Sequence, residues 1–403
     1  MSFKILDMEP LLSGRIKTLS TSQTIAMSER AAELKAQGVD VISLSLGEPD
    51  FDTPSYIVDA ARQAMEEKFF KYPPIVGYKD LREAIVRKLK RDNRIDYDVN
   101  QIVVSTGSKQ SIFNAAMVLV SPGDEVILPS PYWVSYFEIA KLVGGIPVPV
   151  KTTIDNDFKI TPQQLEAAIT PRTKLMIFNT PSNPSGSVYS KEELSALAKV
   201  LQKHPRVYVI SDEIYEYINF TGNFAGFAEI PEIKDRVITV NGVSKAFAMT
   251  GWRIGYMAAH PTIAKACAKI QSQVTSGANS IAQRATIAAL DGGKQKIQYM
   301  IDAFDQRRQL VYNLLKEIPG FKVNMPTGAF YFFPDVSAFF GKTFNGTTIN
   351  NATDLSMYLL EEAKVATVTG EAFGNPECLR FSYATSQDEL KEAFARVKKV
   401  LQF

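Results

Sequence analysis

Short apolar segments alternate with helical patterns through the middle of the chain, between residues 102 and 240. The strand-type segments are Ile102–Ser105, Glu125–Leu128, Ile146–Val150, Leu175–Phe178, Val207–Ile210 and Val237–Val240. Between them, apolar residues recur at helical spacing over Lys109–Val120, Val134–Val143, Pro162–Ile169 and Lys191–Gln202. Largely apolar strands must be covered on both faces, and alternation with helices favours parallel pairing. The pattern therefore predicts a three-layer α/β/α domain with a mostly parallel sheet.

The two ends of the chain follow other patterns. A helical pattern runs from Thr21 to Gly38 and is followed by a short strand at Val41–Leu44. The region from Thr262 to Leu315 is helical. Beyond it the predicted elements are strands at Phe321–Asn324 and Ala329–Phe333, a helix at Ala352–Glu362, a strand at Leu379–Ser382 and a helix from Gln387. This shift predicts a smaller α+β domain, with the change of domain inside a long helix near Gln295–Arg307.

Composition and charge narrow the class of protein. The chain has 403 residues, of which 45% are hydrophobic and 22% charged, as in globular enzymes. This length exceeds one ordinary core, so two domains, or one large domain with an appendage, are expected. The net charge is +2, and the longest basic run, Arg87–Arg91, has acidic neighbours on a helical pattern. That run favours a solvated helix face over a nucleic-acid patch.

Cysteine and histidine are scarce in the sequence. Cys267, Cys378, His204 and His260 are the complete set, and they show no metal-ligand spacing. We therefore expect no metal site, no disulfide framework and no Ser-His-Asp triad. Because no apolar stretch approaches the ~18 residues that span a bilayer, and no signal-peptide pattern is seen, we expect a cytoplasmic protein without a membrane segment.

The turn around Lys245 is the strongest candidate for chemistry. It follows the apolar strand Val237–Val240 and contains mostly small residues, while Gly251, Arg253 and a second apolar strand come after it. A lysine at the base of a cleft, with an arginine eight positions on to bind an anion, suits imine chemistry with a phosphorylated aldehyde. The alternative is an exposed Lys/Arg turn between two strands.

The string SKAFAMTGWRIGY, residues 244–256, closely resembles the lysine motif of the fold-type I pyridoxal-phosphate aminotransferases, in particular their bacterial aspartate/prephenate branch. The resemblance covers nearly the whole chain. It implies a homodimer with shared active sites, and a Schiff base between Lys245 and pyridoxal 5'-phosphate. It also implies a small domain that closes over the substrate as a lid. The expected domains are an N-terminal segment, 1–47, that joins the small domain, a large cofactor-binding domain, 48–295, and a small C-terminal domain, 296–403.

A candidate phosphate site lies at Ser105–Gln110, where a predicted strand ends and a helix begins. Free N–H groups and the helix dipole favour an anion there, and Gly107 lets the backbone approach it closely. An ordinary strand-to-helix turn with Ser108 as the cap is the alternative. The resemblance places Gly107 and Ser108 on the phosphate, with Arg253 as the charged partner and Tyr72 reaching over from the other subunit.

One position near the phosphate site departs from the family pattern. Many relatives have a serine three residues before the lysine, and this chain has Gly242 there. One phosphate contact is therefore missing or replaced, and whether Ser244 supplies it stays open.

Asp212 follows the strand Val207–Ile210, at the sheet edge where ligands of parallel sheets bind. The resemblance assigns Asp212 to the ring nitrogen of the cofactor, whose protonation makes the ring an electron sink. It assigns Tyr215 and Asn183 to the phenolic oxygen and Trp133 to stacking on the ring. The alternatives are a helix cap for Asp212, a plain loop around Asn183 and a structural tryptophan.

Substrate recognition is predicted from further residues. A bidentate guanidinium suits an α-carboxylate, and Arg380 stands in an otherwise apolar strand. Alone it would be read as facing solvent, but the resemblance assigns it to the α-carboxylate, together with Gly47 and Asn183. In one branch of the family a lysine and a threonine at the positions of Lys109 and Thr24 bind a distal carboxylate. A solvated lysine and a helix-cap threonine are the alternatives.

The predicted function is an aminotransferase that moves the amino group between aspartate or glutamate and a 2-oxo acid (oxaloacetate or 2-oxoglutarate). Lys245 carries the proton between the substrate α-carbon and the cofactor. The alternatives are a prephenate or other amino acid aminotransferase and a β-lyase or C–S lyase. A cofactor-sensing regulator would need an added DNA-binding segment, and a nicotinamide enzyme would need a G-x-G-x-x-G turn after the first strand of the α/β region. The chain shows neither.

Overall fold

A seven-stranded sheet forms the centre of the computed structural model, which describes residues 12–20 and 23–402, without the side chains of 23–25 and 28. Its strand order is β2-β8-β7-β6-β5-β3-β4. The strands are β2 Ile102–Ser105, β3 Glu125–Ser130, β4 Ile146–Lys151, β5 Thr173–Asn179, β6 Tyr208–Asp212, β7 Val237–Gly242 and β8 Gly255–Ala258. β8 runs antiparallel to both of its neighbours, and all other pairs are parallel. The predicted mostly parallel sheet is confirmed.

Helices cover both faces of this sheet. They are α3 Ser55–Glu66, α4 Lys79–Asn93, α5 Ser108–Leu119, α6 Val134–Leu142, α7 Pro162–Ala168, α8 Lys191–Lys203, α9 Pro261–Val274 and α10 Ser280–Gly292. Consecutive residues of β5 belong to different apolar cores, one on each face of the sheet. Met176 packs with α4 and α8, whereas Ile177 packs with α5 and α6. Both faces are therefore dry, which explains why the strands read as continuous apolar runs.

The second core combines both ends of the chain. Its helices and strands are α2 Gln23–Ala36, α11 Gln298–Lys316, α12 Ala352–Tyr358, α13 Gln387–Val400, β1 Ile42–Ser43, β9 Tyr331–Phe332, β10 Lys342–Phe344, β11 Thr347–Ile349, β12 Val365–Ala366, β13 Val368–Thr369 and β14 Leu379–Ser382, with a short helix α1 Gly14–Thr18 before them. β1 pairs with β12, and Ile42 and Leu44 lie in one apolar cluster with Val365 and Phe394. The N-terminal segment thus packs on the C-terminal region. The domain limits at residues 47 and 295 stay predictions.

One predicted element is wrong. The strand expected at Phe321–Asn324 is reduced to a single bridge between Lys322 and Asp335, so its apolar residues pack without a ladder. The helical pattern predicted from Thr262 to Leu315 is confirmed, and it forms the three helices α9, α10 and α11, which residues with positive φ, including Gly293 at φ 60°, separate. The helix that enters the C-terminal region therefore begins at Gln298.

Within the described part of the chain, none of the helices combines the length and the apolar character that crossing a bilayer requires.

Candidate active site

A cavity of about 300 Å³ lies where the parallel strands β5, β6 and β7 end. It brings together most of the predicted site residues, namely Gly47, Ser108, Lys109, Trp133, Asn183, Asp212, Tyr215, Lys245, Arg253 and Arg380. A larger cavity of about 570 Å³ lies elsewhere, beside the start of α8, and is lined by none of them. The carboxyl edge of a parallel sheet is where α/β proteins bind ligands, so the smaller cavity is the candidate active site.

Lys245 follows β7 and projects into this cavity. Its Nζ donates a hydrogen bond to the carbonyl oxygen of Gly47 at 2.6 Å. Burial lowers the pKa of Lys245 to about 8; the charge of Glu48 opposes this, while Arg253 and Arg380 add to it. Compared with an ordinary lysine, the neutral amine near pH 7 is enriched on the order of a hundredfold. The exposed-turn alternative is thereby excluded, and a nucleophilic amine is available.

Asp212 is the last residue of β6 and is 3% exposed. Its Oδ2 accepts a hydrogen bond from the hydroxyl of Tyr136 at 2.6 Å, and its Oδ1 accepts one from the amide of Ile214 at 3.2 Å. Burial raises the pKa of Asp212 to about 6, against the lowering effects of these two bonds and of Lys245. A buried carboxylate that lines a cavity and has neutral donors fits a cationic ring nitrogen.

The turn before α5 forms a narrow cradle next to Arg253. Gly107 has φ 83°, and a Cβ on it would lie 2.3 Å from Nη2 of Arg253. A Cβ on Gly242 would lie 2.7 Å from Oγ of Ser108, which donates to the carbonyl oxygen of Asn241 at 2.9 Å. Glycine is therefore favoured at Gly107 by its positive φ, and a side chain at Gly242 would also press on the carbonyl oxygen of Ile254, 2.9 Å from the Cβ position. The departure at Gly242 leaves room for Ser108, and Ser244 also lines the cavity.

Arg380 is buried, with 1% exposure, so the solvent-facing alternative is excluded. Its Nη1 donates to Oδ1 of Asn183 at 3.0 Å and its Nη2 to the carbonyl oxygen of Ser45 at 2.5 Å. The guanidinium lies over the ring of Tyr331, 4.7 Å from its centre, and Nε has no hydrogen-bond partner among the described residues. A fixed, buried guanidinium with spare donor capacity suits a carboxylate ligand.

Aromatic side chains form the walls of the cavity. Nζ of Lys109 lies 4.7 Å from the ring centre of Trp133. Burial lowers the pKa of Lys109, with a further effect of the charge of Arg253. The hydroxyl of Tyr215 is 2.9 Å from that of Tyr331, and burial raises the pKa of Tyr215 well above its usual value. Tyr215 is therefore a neutral hydroxyl.

Three predicted residues are placed differently from the rest. Gly107 shapes the cradle without lining the cavity itself. Tyr72 is 96% exposed and lies outside the cavity of its own chain. Thr24 stands in the first turn of α2, but its side chain is outside the described part of the structure.

Six of the described residues that line the cavity were not predicted from the sequence, and the side chains of three of them contact predicted site residues directly. Tyr136 donates to Asp212, the ring of Tyr331 packs on Arg380, and Asn179 donates from Nδ2 to the carbonyl oxygen of Asp212 at 2.8 Å. A signal existed for Tyr136, because it lies one helical turn after Trp133. Asn179 is the last residue of β5 and pairs with Asp212 on the neighbouring strand β6. The sequence does not show which residues of two strands lie side by side, so no signal pointed to Asn179.

These residues fit pyridoxal phosphate. The cradle of Gly107, Ser108 and Arg253 matches a phosphate dianion, and the buried carboxylate of Asp212 matches a protonated ring nitrogen. The amine of Lys245, with its lowered pKa, matches an aldehyde carbon.

Comparison with known proteins supplies the family. Residues 39–397 match the family described as aminotransferase class I and II. The bifunctional aspartate aminotransferase and glutamate/aspartate-prephenate aminotransferase of Petunia hybrida is 47% identical over 97% of this chain and 82% of its own length. The aspartate/prephenate aminotransferase of Nitrosomonas europaea is 46% identical, over 97% of this chain and 99% of that protein. The solved aspartate aminotransferase of Rhizobium meliloti superposes with a TM-score of 0.94 at 44% identity, covering 97% of this chain and 98% of that one. The chain thus belongs to the class I and II aminotransferase family, and the prediction of a pyridoxal-phosphate-dependent aminotransferase with the three-layer α/β fold is confirmed.

Proposed function

We propose that this aminotransferase uses aspartate and glutamate as amino donors and the matching 2-oxo acids, oxaloacetate and 2-oxoglutarate, as acceptors. The observation that carries the proposal is one cavity that holds the amine of Lys245 and three further cationic side chains. Arg253 belongs to the phosphate cradle, which leaves Arg380 and Lys109 for the substrate. A dicarboxylate has two anionic groups to satisfy, and two separate cationic contacts suit it. The names of the relatives from Petunia hybrida and Nitrosomonas europaea agree with this substrate class.

In this proposal Gly107, Ser108 and Arg253 hold the phosphate of the cofactor, and Lys245 holds its aldehyde carbon. The cofactor, when bound, supplies an electron sink for negative charge that develops at the substrate α-carbon. Asp212 keeps the ring nitrogen protonated by placing a buried carboxylate beside it. Each of these contacts uses a group whose position is already fixed by the protein.

The remaining residues bind and orient the ring and the substrate. Trp133 stacks on the ring, and Tyr215 and Asn183 donate hydrogen bonds to its phenolic oxygen. Arg380 binds the α-carboxylate through its guanidinium, assisted by the amide of Gly47 and by Asn183, which already accepts from Arg380. Lys109 and Thr24 bind the distal carboxylate.

Lys245 is the group that moves the proton. Its pKa of about 8, lowered by burial, leaves a populated neutral amine at physiological pH. Once the substrate amine has displaced it, the freed and neutral Nζ would accept the α-proton and later release it, acting as a general base and then as a general acid.

Two measurements test this assignment. Borohydride reduction of the holoenzyme, followed by peptide mapping, should place the cofactor on Lys245; a tag on another lysine contradicts it. Mixing the holoenzyme with single amino acids and following the cofactor absorbance should show rapid conversion with aspartate and glutamate and slow conversion with alanine. An equal response to leucine would contradict the roles of Lys109 and Thr24, and ammonia release without an oxo-acid acceptor would indicate a lyase instead.

A second acceptor, prephenate, is favoured by a cavity of about 430 Å³ that shares Lys109 with the active site. Tyr132, Phe137 and Leu142 line its apolar part. A bulky ring has space there beside a cationic anchor. Formation of arogenate from prephenate and glutamate would support this acceptor, and its absence alongside good aspartate activity would exclude it.

We also propose a homodimer with shared active sites, working in the cytoplasm. Tyr72 and Phe70 are 96% and 67% exposed in the single chain, which is typical of side chains that a partner covers. Cys267 and Cys378 are free and buried, as in proteins of reducing compartments. Sedimentation equilibrium should give a dimer. Y72F should weaken cofactor binding without changing the assembly state, and a fully active monomer would contradict shared sites.

A further inference from the structure

Tyr136 lines the same cavity as Asp212 and has no role in the function proposed above. We propose that Tyr136 is a positioning residue: its hydroxyl holds the carboxylate of Asp212 ionised and aimed, so that the proton of the contact stays on the ring nitrogen. This inference rests on the assignment of Asp212 to that nitrogen.

The geometry around Tyr136 is specific. It stands in the first turn of α6, one turn after Trp133, and its ring meets the indole edge-on at 5.4 Å and 86°. It is 1% exposed, and its hydroxyl donates to Oδ2 of Asp212 at 2.6 Å. The same helix end therefore provides the stacking ring and the donor to the carboxylate. Because the Tyr136 ring is tightly packed, its hydroxyl keeps a fixed position next to Asp212.

Few other groups act on the Asp212 carboxylate. The amide of Ile214 donates to Oδ1, the amine of Lys245 lies across the cavity, and the hydroxyl of Tyr215 is neutral. Tyr136 itself is neutral, because burial raises its pKa well above the usual value, with a further effect of Asp212. The hydroxyl on Oδ2 is therefore the single side-chain hydrogen bond to this carboxylate among the described residues.

The Asp212 carboxylate and the ring nitrogen compete for one proton, and their relative basicities decide which of them carries it. Burial raises the pKa of Asp212 to about 6, and the Tyr136 hydrogen bond lowers it. Without that bond the carboxylate is a stronger base and draws the proton away from the ring nitrogen. A ring that is less protonated is a weaker electron sink, so the chemical step slows while substrate binding is retained.

A purely structural role is the competing explanation, since the Tyr136 ring also packs in an apolar cluster on the α5–α6 face of the sheet. Y136F removes one oxygen and keeps that packing. Y383F is the matched control, because Tyr383 is equally buried and its hydroxyl donates to the carbonyl oxygen of Ala329 at 2.9 Å, away from the cavity.

The experiment loads wild type, Y136F, Y383F and D212N with pyridoxal phosphate labelled with ¹⁵N in the ring and records the nitrogen chemical shift of each holoenzyme. We expect a protonated nitrogen in wild type and Y383F, an unprotonated one in D212N, and a shift toward the unprotonated value in Y136F. In Y136F, kcat should fall roughly ten- to hundredfold with KM for aspartate nearly unchanged, as for the loss of a charge-assisted bond.

The outcomes distinguish the role of Asp212 from the role of Tyr136. A nitrogen signal unchanged in D212N overturns the role of Asp212 and this inference with it. A signal that changes in D212N but not in Y136F overturns the inference alone. Equal loss of thermal stability and activity in Y136F and Y383F, with unchanged nitrogen shifts, likewise overturns it in favour of a packing role.

Discussion

Replacing Arg380 by lysine tests how the site recognises a carboxylate. The guanidinium donates to Asn183 and to the carbonyl oxygen of Ser45, and its Nε has no partner among the described residues. Lysine keeps the positive charge but loses the planar fork that binds a carboxylate through two parallel bonds. R380K therefore keeps the positive charge at this position and removes the two-bond geometry of the guanidinium.

The size of the effect follows from these contacts. A hydrogen bond to a charged group contributes about 1.5–3 kcal/mol, so the loss of one of two bonds to the substrate lowers kcat/KM for aspartate roughly 10- to 150-fold. The fold should also lose stability, because Oδ1 of Asn183 loses the donor on Arg380, and a buried acceptor left unpaired costs about 1–3 kcal/mol.

The assay is single-turnover conversion of the holoenzyme by aspartate, together with thermal unfolding. The control is R307K, because Arg307 is also a buried arginine, with 8% exposure, and makes a two-bond ion pair with Asp50 outside the cavity. A kcat/KM for R380K within threefold of wild type, or a loss no larger than that of R307K, would refute the reasoning.

Three further predictions follow from single contacts. K109A should slow the reaction of aspartate roughly tenfold or more while alanine is little affected, since one charge-assisted bond to the distal carboxylate is lost; equal slowing of both amino acids in stopped-flow traces would contradict this. G107A should weaken pyridoxal phosphate binding in equilibrium titrations, because a Cβ there would lie 2.3 Å from Arg253 and the φ of 83° is strained for alanine; unchanged affinity would show that the cradle tolerates the shift. Burial raises the pKa of Glu213 to about 8, with the charge of Glu216 adding to it. The folded state then binds more protons than the unfolded one between the usual carboxyl pKa and 8, so stability falls as pH rises through that window and E213Q should remove this fall. If the melting temperatures of wild type and E213Q change in parallel from pH 5 to 9, the prediction is contradicted.

Much of the large domain was predictable from local pattern. The strands Ile102–Ser105 and Val237–Val240 were located to within two residues because apolar runs bounded by turns leave few alternatives. The positions of Lys245, Asp212 and Gly107 also followed, since each lies directly after a strand or before a helix. Their roles came from a motif resemblance, which periodicity does not supply.

The region that combines the two chain ends was predicted less well. The apolar residues of Phe321–Asn324 read as a strand, but they pack in the second core with a single bridge. Whether an apolar segment becomes a strand depends on a partner edge, and that edge is formed by residues distant in sequence.

The sequence by itself determined the α/β architecture and the family of the protein, and it located the lysine turn. Tertiary structure decided which side chains act on those groups: Tyr136 on Asp212, Tyr331 on Arg380 and Asn179 beside β6. The physical reason is range. Strand, helix and turn preferences act between residues a few positions apart, whereas burial, hydrogen bonding and pKa depend on neighbours that only folding brings within a few ångströms.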